Sequence, residues 1–303
     1  MVELSVDLGF LKLKNPVIAA SGTFGYGLEF RPFYDLNLLG GFVVKGLYFN
    51  PREGNNPPRL VETSSGLINS IGLQGIGVEA FCRDVLPELT NLRAAIIVNV
   101  CGQDEDEYAR VAEYLSQPKG IAALELNISC PNVREEGRCP AQNPESTYRI
   151  IEKVKKVSSL PVITKLSPNV TDITEVALAA EQAGSQALSL INTLLAMAVD
   201  LETRKPRLGN VLGGLSGPAI KPVALRMVFQ VCRLVKIPVI GIGGIFTAED
   251  AMEFMMAGAS AVQVGTANFV DPDACPKIIK GIESWAEKHN IKKISEIIGC
   301  LEV

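Results

Sequence analysis

A cysteine flanked by amides stands at the end of an apolar run. The segment Asn127-Ile128-Ser129-Cys130-Pro131-Asn132 follows Ile121-Ala122-Ala123-Leu124-Glu125-Leu126. The run reads as a short strand buried on both faces, and Pro131 stops further pairing. A thiol placed there can act as a base or a nucleophile once it loses its proton. The commoner fate of a free cysteine is to be a small buried hydrophobe. Cys130 needs company before chemistry is assigned to it.

Other apolar runs end in the same style. Lys45 and Lys165 each close or nearly close such a run. A lysine pointing into a cavity must meet an anion, lose its proton or snorkel to the rim. The first two readings admit a Schiff-base lysine or a cation facing an electron-rich ring. Asn69, Asn99, Asn127, Asn132 and Asn192 fall at run ends or in long loops. Each amide carries a donor and an acceptor, which suits a ring with alternating N–H and C=O edges, although asparagine is also a turn residue. Gly241-Ile242-Gly243-Gly244-Ile245 leads into a helix start at Thr247, and Val264-Gly265-Thr266 ends the last run. Glycines let backbone N–H groups approach an anion, and a helix start favours negative charge. Two such turns predict a phosphate-bearing ligand.

The elements that must position these residues alternate along the chain. Strand-like runs are Pro16–Ala20, Gly41–Lys45, Ala94–Val100, Ile121–Leu126, Pro161–Leu166, Ala187–Ile191, Ile237–Ile242 and Ser260–Val264. Helical patterns cover Ile76–Leu89, Glu105–Ser116, Glu145–Val157, Asp172–Ala183, Ala219–Val235, Ala248–Ala257 and Asp273–Lys288. This predicts an α/β fold, a (β/α)8 TIM barrel, with a doubly wound open sheet as the alternative. Residues 2–14 alternate around Gly9 and predict a β-hairpin that plugs one end. Gaps after Lys45, Asn127 and Asn192 are long and lie on the strand-to-helix side, where a barrel keeps its active site. The gap after Asn127 reads as a lid over Cys130.

Bulk properties narrow the class. The chain has 303 residues and a net charge of −4, no footprint for nucleic acid or an anionic membrane. A barrel of roughly 250 residues is one domain, so 1–303 is expected to be a single domain. The start lacks a signal-peptide pattern and no apolar stretch is long enough to span a bilayer, which predicts a soluble cytoplasmic protein. Seven scattered cysteines without a C-x-x-C pair predict free thiols and no zinc or iron–sulfur site. The lone histidine, His289, lies in a polar helix, so a general base must be Cys, Lys, Tyr or a carboxylate.

With these residues in view, the chain resembles the catalytic subunit of class 1B dihydroorotate dehydrogenases, FMN-containing barrels of pyrimidine biosynthesis. The resemblance spans essentially the whole chain. It rests on Ala20-Ser21-Gly22, Val44-Lys45-Gly46, Asn69-Ser70-Ile71-Gly72-Leu73, Asn127 to Asn132, Lys165-Leu166-Ser167-Pro168-Asn169 and Ile191-Asn192-Thr193. It also takes in Gly213-Gly214-Leu215-Ser216-Gly217, Ile242-Gly243-Gly244-Ile245 and Gly265-Thr266. The Cys-Pro-Asn element with the Asn-Ser-x-Gly-Leu loop is specific, whereas the glycine turns suit many phosphate barrels.

The resemblance implies that Cys130 takes a proton from C5 of dihydroorotate while a hydride leaves C6 for N5 of FMN. It implies that Lys165 faces the N1/C2=O side of the flavin and that Lys45 lies between flavin and substrate. Asn69, Ser70, Ile71, Gly72, Leu73, Asn127, Asn192 and Thr193 would hold the substrate, with Asn132 a further contact. Ser21, Lys45, Gly46, Asn99, Asn127, Lys165, Ile191, Gly217, Gly243, Gly244, Gly265 and Thr266 would line the FMN. Class 2 members use serine as the base and carry an N-terminal membrane segment; this chain shows neither, which implies class 1. Asn192 to Met197 and Leu215 to Pro222 resemble class 1B rather than the fumarate-using class 1A. Class 1B implies electron exit to NAD+ through a partner subunit carrying FAD and a 2Fe-2S cluster, in a heterotetramer of two catalytic and two electron-transfer subunits. A flavin-free Schiff-base lyase or isomerase and a non-catalytic scaffold barrel are the remaining readings.

Overall fold

The structure, a computed structural model of the chain, describes residues 2–129 and 139–303. Eight parallel strands close into a barrel: β1 (Val17–Ala19), β2 (Gly41–Leu47), β3 (Ala95–Val100), β4 (Ala123–Asn127), β5 (Val162–Lys165), β6 (Ala187–Leu190), β7 (Val239–Ile242) and β8 (Ala261–Val264). Every neighbouring pair is parallel, so all eight C-terminal ends meet at one rim. Side chains fill the barrel interior on one face of each strand, and helices cover the other. That is why the strands read as unbroken apolar runs rather than as alternations. The closed barrel excludes the open doubly wound sheet.

Helices follow β2 to β8 at residues 78–89, Glu105–Leu115, Pro144–Val157, Ile173–Gln182, Lys221–Cys232, Ala248–Met256 and Ala274–Lys288. Four of their starts are tied by a side chain: Asp104 accepts from the Glu107 N–H, Asn143 from Glu145, Asp172 from Thr174 and Thr247 from Asp250. Each cap satisfies an N–H that the helix itself leaves unpaired. Because these starts end the loops leaving the rim, the caps also fix the loops. Between β1 and β2 only short turns occur, at Leu28–Phe30 and Leu36–Leu38.

The hairpin expected in residues 2–14 is present, with Val6–Asp7 antiparallel to Lys12–Leu13. Its Val6, Leu8 and Leu13 are buried in the barrel's own core, at the entry to β1. The long gaps after β2 and β6 hold more order than the sequence suggests. Leu60–Thr63, Gly66–Asn69, Leu194–Met197 and Leu212–Ser216 form a second, four-stranded antiparallel sheet. Residues 50–58, expected to be irregular, contain no regular strand. Among the described residues, no helix is long and apolar enough to cross a membrane.

Candidate active site

The strand ends open into one cavity of about 720 Å³. Every strand of the barrel sends a residue to its wall at or just beyond its C-terminal end: Ser21, Lys45, Asn99, Asn127, Lys165, Ile191, Gly243 and Gly265, taken from β1 to β8. The second sheet closes one side with Leu67, Asn69 and Ser216. Lys45 and Gly46 owe their aim to an irregularity in the β2–β3 pairing between Val44 and Leu47. Such a bulge re-aims a side chain that regular pleating would send elsewhere.

The amides are oriented by their neighbours. Asn192 Oδ1 accepts from the Thr193 N–H at 2.8 Å, so its Nδ2 is the atom that donates to Asn127 Oδ1 at 3.2 Å. Asn127 is thereby turned with its Nδ2 unpaired among the described residues, on the cavity wall. Asn69 Nδ2 donates to the Gly214 carbonyl at 3.1 Å, which leaves Asn69 Oδ1 an acceptor without a partner among the described residues. A donor and an acceptor thus face the same space, the pairing a cyclic imide or amide edge requires. Tyr108, fully buried, donates its hydroxyl to the Asn127 carbonyl at 2.7 Å and holds the end of β4. Asn169 clamps the loops after β5 and β6: it donates to the Thr193 carbonyl at 3.0 Å and accepts from the Leu195 N–H at 2.9 Å.

The two lysines differ. Burial lowers the Lys45 ammonium from its ordinary pKa and Arg59 adds to this, while Glu29 opposes it. No ion pair engages Lys45 among the described residues, so its charge is available to a ligand anion. Lys165 is only 7 % exposed and lies 3.8 Å from Oε1 of Glu125, which is wholly buried. That carboxylate also accepts from Asn99 Nδ2 at 2.8 Å, Ser189 Oγ at 2.9 Å and Gln263 Nε2 at 2.6 Å. A buried charge is tolerated only when paired and hydrogen-bonded in this way. Gln263 Oε1 has no partner among the described residues.

The glycine turns form a second kind of wall. Gly217, Gly243 and Gly244 have φ of +95°, +129° and +73°. A Cβ on Gly244 would stand 2.8 Å from the Lys221 N and 2.9 Å from the Gly217 carbonyl, so only glycine fits. Among the described residues, no backbone carbonyl outside the regular ladders accepts from the N–H groups of Gly243, Gly244, Gly265 or Thr266. The helix start that follows does not share that freedom. Asp250 Oδ2 already accepts from Phe246 and Thr247, and Asp250 Oδ1 pairs with Lys221 at 2.6 Å. Burial opposes ionisation of Asp250, but Lys221 and those N–H groups outweigh it and hold its carboxyl below the usual range. Anion binding here therefore falls to the glycine N–H groups.

The model of the dihydroorotate dehydrogenase family matches residues 3–285. The chain belongs to the dihydroorotate dehydrogenase family. It is 54 % identical over 302 residues to "Dihydroorotate dehydrogenase B (NAD(+)), catalytic subunit" of Thermodesulfovibrio yellowstonii, with all of both chains covered. The protein of the same description from Bacteroides fragilis is 50 % identical over 303 residues, again with full coverage of both. A dihydroorotate dehydrogenase structure from Eimeria tenella, in complex with ferulenol, superposes with a TM-score of 0.81 at 22 % identity. It covers 98 % of this chain and 88 % of that one, and shows the shared barrel.

Most of the residues that the family resemblance singled out meet at the cavity. Ser21, Lys45, Gly46, Asn69, Ile71, Leu73, Asn99, Asn127, Lys165, Ile191, Asn192, Thr193, Gly217, Gly243, Gly244, Gly265 and Thr266 all line it. Ser70 and Gly72 stand behind the wall. Ser70 Oγ accepts from Asn55 and Asn210, and Gly72 (φ +76°) packs against Asn55, so both shape the loop that carries Ile71 and Leu73. Cys130 and Asn132 lie outside the described residues. Glu125, Ser189 and Gln263 are the site residues the sequence reading passed over. A signal existed, since each is a single polar residue between two apolar ones in a doubly buried strand: Leu124-Glu125-Leu126, Leu188-Ser189-Leu190 and Val262-Gln263-Val264.

Proposed function

We propose that this chain oxidises dihydroorotate to orotate in pyrimidine biosynthesis, using bound FMN as a single FMN-binding domain over residues 1–303. The observation that carries the reading is the convergence of two lysines (Lys45, Lys165), four amides (Asn69, Asn99, Asn127, Asn192) and two glycine turns on one cavity. The donor set fits FMN. Glycine N–H groups at the ends of β7 and β8 suit a phosphate, a Cβ at Gly244 would collide with Lys221 and the Gly217 carbonyl and distort that turn, and Lys165 and Asn99 suit the polar edge of a flavin ring. When bound, FMN supplies the acceptor for the two electrons leaving C6 of the substrate.

The chain's own residues do the rest. Asn127 Nδ2 and Asn69 Oδ1 pair with the substrate's amide edge, and Lys45 attracts its carboxylate. Cys130 takes the C5 proton; that proton is acidified by the neighbouring carbonyl, so a thiolate suffices as base. Thr193, held by Asn169, closes the substrate side. A partner subunit carrying FAD and a 2Fe-2S cluster would take the electrons on to NAD+, in a heterotetramer of two catalytic and two electron-transfer subunits. The description of the relatives as NAD(+)-type catalytic subunits supports that partner.

A visible spectrum of the purified chain tests the reading. Flavin absorbance that bleaches when dihydroorotate is added without oxygen is expected, with FMN released on denaturation. Release of FAD, or of no chromophore, would overturn it.

A further inference from the structure

The interior of a barrel is ordinarily filled by branched apolar side chains. Here one layer is charged. Glu125 on β4 is fully buried and receives hydrogen bonds from three strands: Asn99 on β3, Ser189 on β6 and Gln263 on β8. A buried carboxylate is weak evidence for stability, because well-packed apolar residues often replace buried ion pairs without loss. Glu125 does not reach the cavity, yet two of its partners, Asn99 and Lys165, line it. The Lys165 ammonium stays 3.8 Å from Oε1, too far for a hydrogen bond, so it is balanced by the carboxylate but not bound by it.

We propose that Glu125 is a positioning residue that sets the reduction potential of the flavin by countering the positive charge of Lys165. The inference rests on the FMN reading above. Three neutral donors hold the carboxylate at a fixed depth, so its charge acts on Lys165 from one direction. With Glu125 in place the pair is neutral as a whole, and Lys165 favours the extra electrons only moderately. Without it the wall carries a net positive charge, and the reduced flavin gains. Loss of a donor to the carboxylate acts the other way, because less of its negative charge is then compensated.

The test is the midpoint potential of bound FMN, read by anaerobic titration against a reference dye at fixed pH. Glu125→Gln should favour the reduced flavin at least tenfold, about 30 mV more positive for two electrons. Ser189→Ala, which keeps the charge and deletes one donor, should move the potential to the negative side. A loosened fold would not give opposite signs. Lys165→Met, which deletes the positive charge and keeps the carboxylate, should move the potential to the negative side. An unmoved or falling potential in Glu125→Gln overturns the proposal, and so does a rise in Lys165→Met. If Glu125→Gln does not fold, Ser189→Ala decides, and a potential that stays put or rises refutes it. Wild-type protein without FMN defeats the functional reading as well; bound FMN whose potential ignores these changes defeats this inference alone.

Discussion

Asn127 and Lys45 show how much of recognition depends on partners that never touch a ligand. The Thr193 N–H turns Asn192, and Asn192 in turn leaves Asn127 with a donor unpaired among the described residues. Burial makes the Lys45 proton easier to lose. A ligand carboxylate favours the charged form and raises that pKa again. Orotate affinity should therefore fall as pH rises through the lowered Lys45 value. Spectral titration of bound flavin would show this, and Lys45→Met should bind orotate more weakly and without that pH limb. Burial does not make every thiol a candidate base: Cys275, wholly buried and donating to Asn268 Oδ1, is pushed up to about 12 and stays neutral. Cys130→Ser should keep the yellow colour but slow flavin reduction by dihydroorotate roughly 10²–10⁴-fold near neutral pH, the usual worth of a positioned base. Near-normal reduction in rapid mixing would show that Cys130 is structural.

At the scale of elements, the turn after β7 joins backbone geometry to binding. Gly244 requires φ of +73° and sits against the Lys221 N and the Gly217 carbonyl. Gly244→Ala must strain that turn or displace the start of the helix Lys221–Cys232. We expect the folded variant to lose FMN on dialysis, with affinity down at least tenfold, because its N–H groups would no longer converge. Retention of a full flavin complement after dialysis would show that the cradle tolerates the change. The second sheet has an equivalent role on the substrate side: it carries Asn69 and Ser216 to the wall, and Asn169 fastens its outer strand to the loop after β5.

A cavity of about 720 Å³ lies at the rim where the barrel strands end. Among the described residues, no group of three or more His, Cys, Asp or Glu side chains could hold a metal ion. On the proposed reading, a dihydroorotate over the flavin occupies the face a nicotinamide would need. The isolated chain should therefore reduce its flavin with dihydroorotate yet fail to turn over with NAD+. Adding an iron–sulfur flavoprotein partner should restore turnover, followed as NADH absorbance. Rapid NAD+ reduction by the pure chain would refute the two-subunit reading, and rapid turnover with fumarate would move it to class 1A.

Strand and helix order, the barrel, the hairpin and most wall residues were legible in the amino-acid sequence. Local patterns carry them: apolar runs bounded by turns, capped helix starts, and polar residues at strand ends. What only the tertiary structure decided depends on contacts between distant segments. The second sheet pairs Leu67 to Asn69 with Gly214 to Ser216, nearly half the chain away, and its strands are too short to announce themselves. The bulge that aims Lys45 arises from β2 against β3. Ser70 and Gly72 look like wall residues in sequence, but hydrogen bonds and packing from Asn55 and Asn210 turn that loop so that only Ile71 and Leu73 face the cavity. Glu125 stands in its strand as a lone charge among leucines, and its meaning appears only when barrel closure brings Asn99, Lys165, Ser189 and Gln263 around it. A strand's sequence encodes which residues are buried; which buried residues meet is set by register and closure.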